Sequence, residues 1–320
     1  MADPADPRTQ IAPSVSPAAA AILRPIVTAL AAMPRREPAR TVEDFDAANA
    51  RGAAFAEQIG AGAIAALAPN LHEWTANGTP VLTVTPRAPR NEATPLVYVH
   101  GGGFVSGSAR ANLLTAAVAA DTSGRVVHSI DYRLAPRADW RTILEQVTAA
   151  WAAIADGAAE APGLFGDSAG GCIAAAATLL LRDRKAVMPG ALMLMSPVTD
   201  LAGAGDTNGT LAHVDYLERR LLEPALHAYA PEDDWTNPLV SPLHADFGPG
   251  FPPVLIQVGT RELLLSDAVR LHRALRAAGR SSRLEVYDGM PHVFQPLLAR
   301  TPEGEQAWAE IAAFWSEHLA

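Results

Sequence analysis

A serine between two glycines is the first feature of this chain that suggests chemistry. The segment Gly166-Asp167-Ser168-Ala169-Gly170 follows a short apolar run and precedes an alanine-rich stretch. A serine on a sharp strand-to-helix turn needs small neighbours, because the backbone passes close by. The helix that follows directs free N–H groups towards an anion beside the hydroxyl. The pattern predicts that Ser168 is a nucleophile for acyl transfer, although an ordinary glycine-rich turn has the same composition.

A second glycine-rich segment, His100-Gly101-Gly102-Gly103, follows an apolar run that ends at Val99. Three successive glycines expose backbone N–H groups, which suits the stabilisation of an oxyanion. The alternatives are a flexible turn and a phosphate-binding loop. The second alternative fails because the chain has no G-x-x-x-x-G-K-[ST] motif and its single lysine, Lys185, lies far along the chain. We expect His100 to support this loop by hydrogen bonding and not to take part in catalysis.

A serine nucleophile needs a base, and the base needs a carboxylate that orients it. Among the nine histidines, His292 follows a predicted strand and lies in a short loop before the last helix, so we expect it to be the base. Glu262 lies just beyond the predicted strand Val254 to Val258 and is the favoured acid. Asp267 is the alternative acid. It follows Ser266, a predicted helix N-cap, so we expect it to interact with the helix dipole instead.

Short apolar runs that alternate with helical stretches must position these residues. Such alternation implies an α/β fold with a mostly parallel sheet that is covered on both faces. The order nucleophile, acid, histidine along the chain is the order of α/β-hydrolases and not that of chymotrypsin-like or subtilisin-like enzymes. The predicted strands are Val81 to Thr85, Leu96 to Val99, Arg125 to Tyr132, Gly163 to Gly166, Ala191 to Met195, Val254 to Val258 and Arg283 to Tyr287.

Two regions do not follow this alternation. The N-terminal stretches Ala18 to Met33 and Val42 to Leu67 are predicted to be helical. The segment from Asp200 to about Val240 contains a helix-like piece, Val214 to Leu222, but no strand. Because loops beyond the carboxyl ends of parallel strands build sites, we interpret this segment as an insertion over that edge of the sheet.

Composition narrows the classes of function. With 49% hydrophobic and 18% charged residues, the chain can bury a large core, and its net charge of −9 disfavours nucleic acids and anionic membrane surfaces as partners. The single cysteine, Cys172, excludes an internal disulfide framework and a cysteine-based zinc site. No run of apolar residues is long enough for a membrane span. We expect a cytoplasmic protein without a metal or cofactor and without stable membrane association.

Four ordered motifs resemble those of the bacterial hormone-sensitive-lipase-like esterases, family IV of the carboxylesterases. The resemblance covers about residue 74 to the C-terminus. It implies an α/β-hydrolase core with a helical cap, and hydrolysis of carboxylic esters, usually with short acyl chains, without a cofactor. The motifs are His100-Gly101-Gly102-Gly103-Phe104, Asp131-Tyr132-Arg133-Leu134-Ala135-Pro136, Gly166-Asp167-Ser168-Ala169-Gly170 and Gly289-Met290-Pro291-His292.

The resemblance also assigns parts of the chain. The cap would comprise residues 1–52 and the insertion 200–240, and the core would comprise residues 53–199 and 241–320. By position, the N–H groups of Gly102, Gly103 and Ala169 would form the oxyanion hole beside Ser168. The residues that support the two glycine-rich motifs would be His100, Gly101, Gly166, Asp167 and Gly170.

Two residues depart from the family pattern. Glu262-Leu263-Leu264 occupies a position where the family usually has Asp-Pro-Leu, which resembles a subset that uses glutamate. Arg137 replaces the usual glutamate after Ala-Pro. We expect Asp131 and Arg133 to form structural hydrogen bonds beneath the site.

Other functions must be weighed against a short-chain esterase that acts on small-molecule esters. The same machinery opens lactones, so a lactone hydrolase such as a monoterpene-lactone hydrolase is an alternative. Non-catalytic small-ligand receptors on the same fold have lost the histidine, and the presence of His292 argues against that class. A homodimer, as in relatives, is also predicted.

Overall fold

The computed structural model describes residues 6–32 and 37–319. In this part of the chain, one sheet contains eight strands. Their bounds are β1 (Asn70–Ala76), β2 (Thr79–Thr85), β3 (Asn91–Val99), β4 (Arg125–Ile130), β5 (Gly163–Asp167), β6 (Ala191–Met195), β7 (Val254–Arg261) and β8 (Ser282–Pro291).

The strand order is β1-β2-β4-β3-β5-β6-β7-β8. β1, β2 and β4 are joined by antiparallel pairing, and the pairs from β4 to β8 are parallel. Every residue of β5 and β6 is buried, as two-sided coverage by helices requires. The predicted α/β architecture is confirmed, together with all seven predicted strands.

Strand β1 was not predicted. Most of its residues, from Asn70 to Glu73, are exposed, because β1 is the edge strand and pairs only with β2. An edge strand that contacts little of the core lacks the apolar run by which the other strands are recognised.

Helices cover both faces of the sheet. Their bounds in the described residues are α1 (Pro17–Ala32), α2 (Val42–Leu67), α3 (Leu113–Ser123), α4 (Trp140–Asp156), α5 (Ala169–Asp183), α6 (Thr207–Thr210), α7 (Arg219–Tyr229), α8 (Leu265–Ala277) and α9 (Pro302–His318).

The N-terminal segment packs against the C-terminal part of the core. Leu23 of α1 belongs to the same buried cluster as Met290 and Phe294. The predicted α1 extends to Met33, which lies outside the described residues. Helix α2 is continuous across residue 52, so no break in the helix marks the proposed boundary between cap and core. That boundary stays a prediction.

The insertion, residues 200–240, contains α6 and α7. The predicted helix Val214 to Leu222 is wrong in its position, because α7 begins only at Arg219. The Oδ1 atom of Asp215 accepts a hydrogen bond from the backbone N–H of Leu217 at 2.8 Å. This local turn competes with helix formation before Arg219.

The insertion contacts both the core and the N-terminal segment. The ring of Tyr229, in α7, stacks on Phe104 with a centroid separation of 3.8 Å. Arg8 lies 3.6 Å from Glu218 of the insertion, measured from Nη1 to Oε1. The Nη2 atom of Arg261, at the end of β7, donates to the carbonyl of Pro7 at 2.7 Å.

Helix α8 begins differently from the prediction. Its N-cap is Leu264 and not Ser266, which lies inside the first turn. The Oγ atom of Ser266 instead accepts a hydrogen bond from the backbone N–H of Thr207, in the insertion, at 3.0 Å. Among the described helices, none combines the length and the apolar character that crossing a bilayer requires.

Candidate active site

Ser168 stands at the junction between β5 and α5. Its backbone has φ 53° and ψ −122°, a conformation that a residue with a side chain rarely adopts. Its N–H donates to the carbonyl of Met195, and its carbonyl accepts from the N–H of Val198, so both sides of the turn are held by the segment after β6. The hydroxyl makes no capping hydrogen bond to α5. The turn therefore presents a strained, half-buried hydroxyl.

The glycines around Ser168 are required by close backbone contacts. A Cβ atom on Gly166 would lie 2.4 Å from the carbonyl oxygen of Gly170. A Cβ on Gly170 would lie 2.1 Å from the carbonyl oxygen of Val99. Any larger side chain would push β5, α5 and the glycine-rich segment after β3 apart.

The glycine-rich segment after β3 lies beside this turn. Gly102 has φ 121° and Gly103 has φ 60°, and both line a cavity together with Ser168. Within the described residues, the N–H groups of Gly102, Gly103 and Ala169 donate no hydrogen bond to another protein group. The three predicted oxyanion donors are thus unengaged.

Buried polar residues support the glycine-rich segment. The Oδ1 atom of Asp167 accepts hydrogen bonds from the hydroxyl of Tyr98 and, at 3.1 Å, from the N–H of Gly101. His100 donates from Nδ1 to the carbonyl of Gly101 at 2.9 Å and stacks on Tyr132. Burial lowers the pKa of His100, which favours its neutral form. These contacts agree with a supporting role for His100 and Asp167.

His292 follows β8 directly and forms a hydrogen bond with Glu262, which follows β7. The distance from Nδ1 of His292 to Oε2 of Glu262 is 2.8 Å. A carboxylate can only accept, so Nδ1 carries the proton and Nε2 is left to accept one. Burial alone would lower the pKa of His292, but the hydrogen bond and charge of Glu262, with the charges of Asp215 and Asp167, raise it above its ordinary value.

The second carboxylate oxygen of Glu262 is also held. Oε1 accepts from the Oγ of Ser196 at 2.8 Å and from the N–H of Gly259 at 2.7 Å. Ser196 Oγ in turn accepts from the N–H of Val293 at 3.2 Å. Ser196 therefore connects Glu262 to Val293, the residue that follows His292.

Asp267, the alternative acid, makes different contacts. Its Oδ2 atom accepts from the backbone N–H groups of Thr199 at 2.7 Å and Asp200 at 3.0 Å, and no described hydrogen bond joins it to His292. Burial raises the pKa of Asp267 to about 6. It holds the segment after β6 in place. It also lies in the first turn of α8, where its interaction with the helix dipole stays a prediction.

Ser168 and His292 line the same cavity, of about 380 Å³, between the core and the insertion. Most of its wall is apolar, with Phe104 and Leu263 from the core and Leu222 from α7. The structure thus brings together Ser168, His292 and the glycine-rich segment, and places Glu262 behind His292. A hydroxyl, an imidazole with its carboxylate and free backbone N–H groups can together perform acyl transfer.

Comparison with known proteins gives the family. A model of the α/β-hydrolase fold matches residues 96–296, more than half of the chain. An acetyl-hydrolase of Streptomyces hygroscopicus is 34% identical over 232 residues, which cover 71% of this chain and 77% of that protein. An esterase of Acinetobacter venetianus is 33% identical over 228 residues, which cover 69% of this chain and 75% of that protein.

A crystal structure agrees with these relatives. An esterase from the bacterial hormone-sensitive lipase family superposes with a TM-score of 0.84 at 30% identity, over 96% of this chain and 100% of that one. The chain belongs to this family. It is a hormone-sensitive-lipase-like carboxylesterase of the α/β-hydrolase superfamily, as the four motifs predicted.

Arg137, which departs from the family pattern, and Arg133 of the matching motif both lie on the surface of the esterase. Arg137 forms an exposed ion pair with Asp46 of α2, with Nη2 and Oδ2 2.6 Å apart. The side chain of Arg133 is exposed. In the described part of the chain, its backbone N–H alone forms a hydrogen bond, to Oε1 of Gln146 at 2.9 Å. The predicted structural hydrogen bonds of Arg133 beneath the site are therefore wrong, whereas Asp131 accepts from the N–H of Ala109 at 2.9 Å.

Sequence analysis missed three residues near His292. They are Ser196, described above, and Asp215 and Tyr216 of the insertion. Ser196 had a signal, since it directly follows a predicted strand at the edge where the site forms. Asp215 and Tyr216 had none, because they lie in a stretch that was predicted to be helical.

Proposed function

We propose that this esterase cleaves its substrates through an acyl-enzyme, with Ser168 as nucleophile, His292 as base and Glu262 as acid. The observation that carries the proposal is the 2.8 Å contact between Nδ1 of His292 and Oε2 of Glu262, beside a cavity that Ser168 and His292 both line. The strained turn at Ser168 and the unengaged N–H groups of the glycine-rich segment support it.

In the first half-reaction, Nε2 of His292 accepts the proton of the Ser168 hydroxyl while Oγ attacks the ester carbonyl carbon. The oxyanion that forms accepts hydrogen bonds from the N–H groups of Gly102, Gly103 and Ala169. His292 then gives the proton to the leaving alcohol oxygen, the bond between that oxygen and the acyl carbon breaks, and an acyl-serine remains.

In the second half-reaction, water takes the place of the alcohol. His292 removes a proton from the water, whose oxygen attacks the acyl carbon, and the same N–H groups hold the second oxyanion. As this intermediate collapses, His292 gives the proton to Oγ of Ser168, the bond between that oxygen and the acyl carbon breaks, and the carboxylic acid is released.

Small apolar esters fit this cavity best. Its volume of about 380 Å³ is at the lower end for small-molecule sites, and its wall is largely apolar. Relatives are named acetyl-hydrolase and acetyl esterase. We therefore propose short-chain carboxylic esters as substrates of this enzyme.

The nucleophile is tested by Ser168→Ala, with Ser316→Ala on the exposed face of α9 as the matched control. Hydrolysis of p-nitrophenyl acetate should fall by at least about 10³-fold in Ser168→Ala and stay unchanged in the control. A fluorophosphonate should add its mass to the wild type at Ser168 and leave Ser168→Ala unlabelled. Turnover retained in Ser168→Ala would refute the mechanism.

The substrate class is tested by a series of p-nitrophenyl esters from acetate to octanoate, with small lactones alongside. We expect the highest kcat/KM for acetate or butyrate. A higher kcat/KM for a lactone would favour the lactone hydrolase. If the wild type hydrolyses none of the esters and lactones, the result would favour a receptor.

The oligomeric state and the location are further proposals. We propose a homodimer on the basis of the sequence resemblance, and a cytoplasmic location on the basis of the composition and the single cysteine. Analytical ultracentrifugation of the purified chain tests the first part: a single species of 33.6 kDa would contradict it.

A further inference from the structure

Two consecutive residues of the insertion hydrogen-bond the two loops that carry the acid and the base. The Oδ2 atom of Asp215 accepts from the N–H of Leu263, the residue after Glu262, at 2.6 Å. The hydroxyl of Tyr216 donates to the carbonyl of His292 itself at 2.6 Å. The insertion is thus fastened to both loops by adjacent side chains.

The loop of the base needs such support. Val293, directly after His292, has φ 49°, which is unfavourable for a β-branched side chain. A backbone of this kind persists only when surrounding contacts fix it. The contacts here are the Tyr216 hydroxyl on the carbonyl of His292 and the Ser196 hydroxyl on the N–H of Val293.

Asp215 is buried and acts on His292 by its charge as well as by its hydrogen bonds. Only 1% of its surface is exposed. Burial raises the pKa of Asp215 to about 6, although the charge of His292 and the hydrogen bonds from Leu217 and Leu263 act to lower it. The groups that act on the pKa of His292 are Glu262, Asp215 and Asp167, all carboxylates, and all three raise it.

Tyr216 also lies against the reacting groups. Its ring meets the ring of His292 edge-on, with centroids 6.2 Å apart. It lines the cavity that contains Ser168 and also a second cavity, of about 320 Å³, beneath α1 and α2. The ring thus shapes the space for substrate, while the hydroxyl holds the base.

We propose that Asp215 and Tyr216 are positioning residues for ester hydrolysis, which hold the acid and base loops at the geometry that proton transfer requires. The inference rests on the proposed roles of Glu262 and His292. The insertion then has two tasks, since it encloses the substrate and completes the support of the proton-transfer pair.

Tyr216→Phe is the cleanest test, because it removes the hydroxyl and keeps the ring. With p-nitrophenyl acetate we expect kcat to fall about three- to ten-fold, in line with the loss of one hydrogen bond, and KM to stay within about two-fold. His213→Ala is the matched control, since His213 is an exposed residue of the same loop and lines neither cavity. The control should have the kcat and KM of the wild type.

Asp215→Asn tests the electrostatic part with a pH profile. The amide keeps an acceptor but loses the negative charge that raises the pKa of His292. We expect kcat to fall and the midpoint of the acid limb of kcat/KM to move to lower pH, whereas a purely structural residue would leave that midpoint in place. Thermal unfolding of each variant checks that the fold is intact.

The outcomes separate this inference from the mechanism. Wild-type kcat in Tyr216→Phe overturns the role of Tyr216, and an unmoved acid limb in Asp215→Asn overturns that of Asp215. If Asp215→Asn does not fold, Tyr216→Phe decides alone. If Ser168→Ala and Glu262→Gln lose activity while Tyr216→Phe keeps it, only this inference fails. If Ser168→Ala and Glu262→Gln retain activity, the proposed mechanism itself fails.

Discussion

The Nδ1 atom of His292 lies 2.8 Å from the Oε2 atom of Glu262, and both side chains are shielded from solvent, with 5% and 0% of their surfaces exposed. Charges interact more strongly where water is excluded. A glutamate reaches the imidazole here from the end of β7, and its second oxygen is held by two donors. These hydrogen bonds fix both the tautomer and the direction of the ring.

The assignment of the acid can be tested by a pair of variants. Glu262→Gln should lower kcat by roughly 10²- to 10⁴-fold, because the imidazole loses the charge that stabilises its protonated form. Asp267→Asn should change kcat by less than about three-fold, since Asp267 contacts the backbone of Thr199 and Asp200 and not His292. Kinetics with p-nitrophenyl acetate decide, and a larger loss in Asp267→Asn would reverse the assignment.

The rate should depend on the protonation of His292. The imidazole accepts a proton from Ser168 only when it is neutral, so kcat/KM should fall as the pH drops through its pKa. Because three carboxylates raise that pKa, we expect the midpoint of the acid limb to lie above pH 6.5. A pH–rate profile of the wild type measures it, and a midpoint below pH 6 would contradict the electrostatic environment described above.

The stability of the protein should depend on the protonation of Asp267. Its pKa is about 6 in the folded chain and 3.8 in its ordinary state, so between these values the folded state binds more protons than the unfolded state. The contribution of Asp267 to the free energy of unfolding is therefore present below pH 4 and is lost as the pH rises through 6. Asp267→Asn cannot titrate.

Urea unfolding of wild type and Asp267→Asn at pH 5 and pH 8 measures this effect. We subtract the free energy of unfolding of the wild type from that of the variant at each pH. This difference should be more favourable to the variant at pH 8 than at pH 5, by on the order of 1 kcal/mol. The same difference in the free energy of unfolding at pH 5 and pH 8 would show that Asp267 does not titrate in this range.

Ser196→Ala should impair the acid without unfolding the chain. It removes one of the two donors to Oε1 of Glu262 and the acceptor for the N–H of Val293. We expect kcat to fall about ten-fold and the free energy of unfolding to fall by about 1–2 kcal/mol. Ser129→Ala is the control, because Ser129 is buried and its hydroxyl has no partner among the described residues. Equal kcat values in the two variants would argue against a role for Ser196.

Gly102→Ala should disable the oxyanion donors. Gly102 has φ 121°, and a Cβ atom there would lie 2.0 Å from the carbonyl oxygen of Ser106, so the segment must move. We expect kcat to fall by about 10²-fold or more. Gly78→Ala has similar backbone strain, with φ 86°, but its Cβ meets nothing within 4 Å. It should cost about 1 kcal/mol of stability and leave kcat unchanged.

Buried strands and motifs of neighbouring residues could be predicted from the sequence. The buried strands have continuous apolar runs, and Ser168 and the glycines around it have a spacing that only a tight turn explains. His292 and Glu262 could be placed because each follows a strand at the same sheet edge. The missed strand β1 is exposed, so its sequence carries no such pattern.

The polar contacts around the base could not be predicted. Ser196, Asp215 and Tyr216 form hydrogen bonds between segments that are distant in the chain. Only Ser196 has a signal in the sequence, its position directly after a predicted strand. Asp267 shows the same limit: its place near a helix start could be read from the sequence, but the hydrogen bonds that its carboxylate accepts from Thr199 and Asp200 could not. Such partners depend on the path of the insertion, which has little regular structure before Arg219.

The ion pair between Arg8 and Glu218 has a consequence for engineering. The N-terminal segment and the insertion are separated by some 200 residues of sequence, yet they touch each other, and Pro7 also contacts Arg261, next to Glu262. A chimera that receives only the insertion from a relative would combine a foreign surface with a native N-terminus. Grafts between members of this family should therefore exchange both segments as one unit.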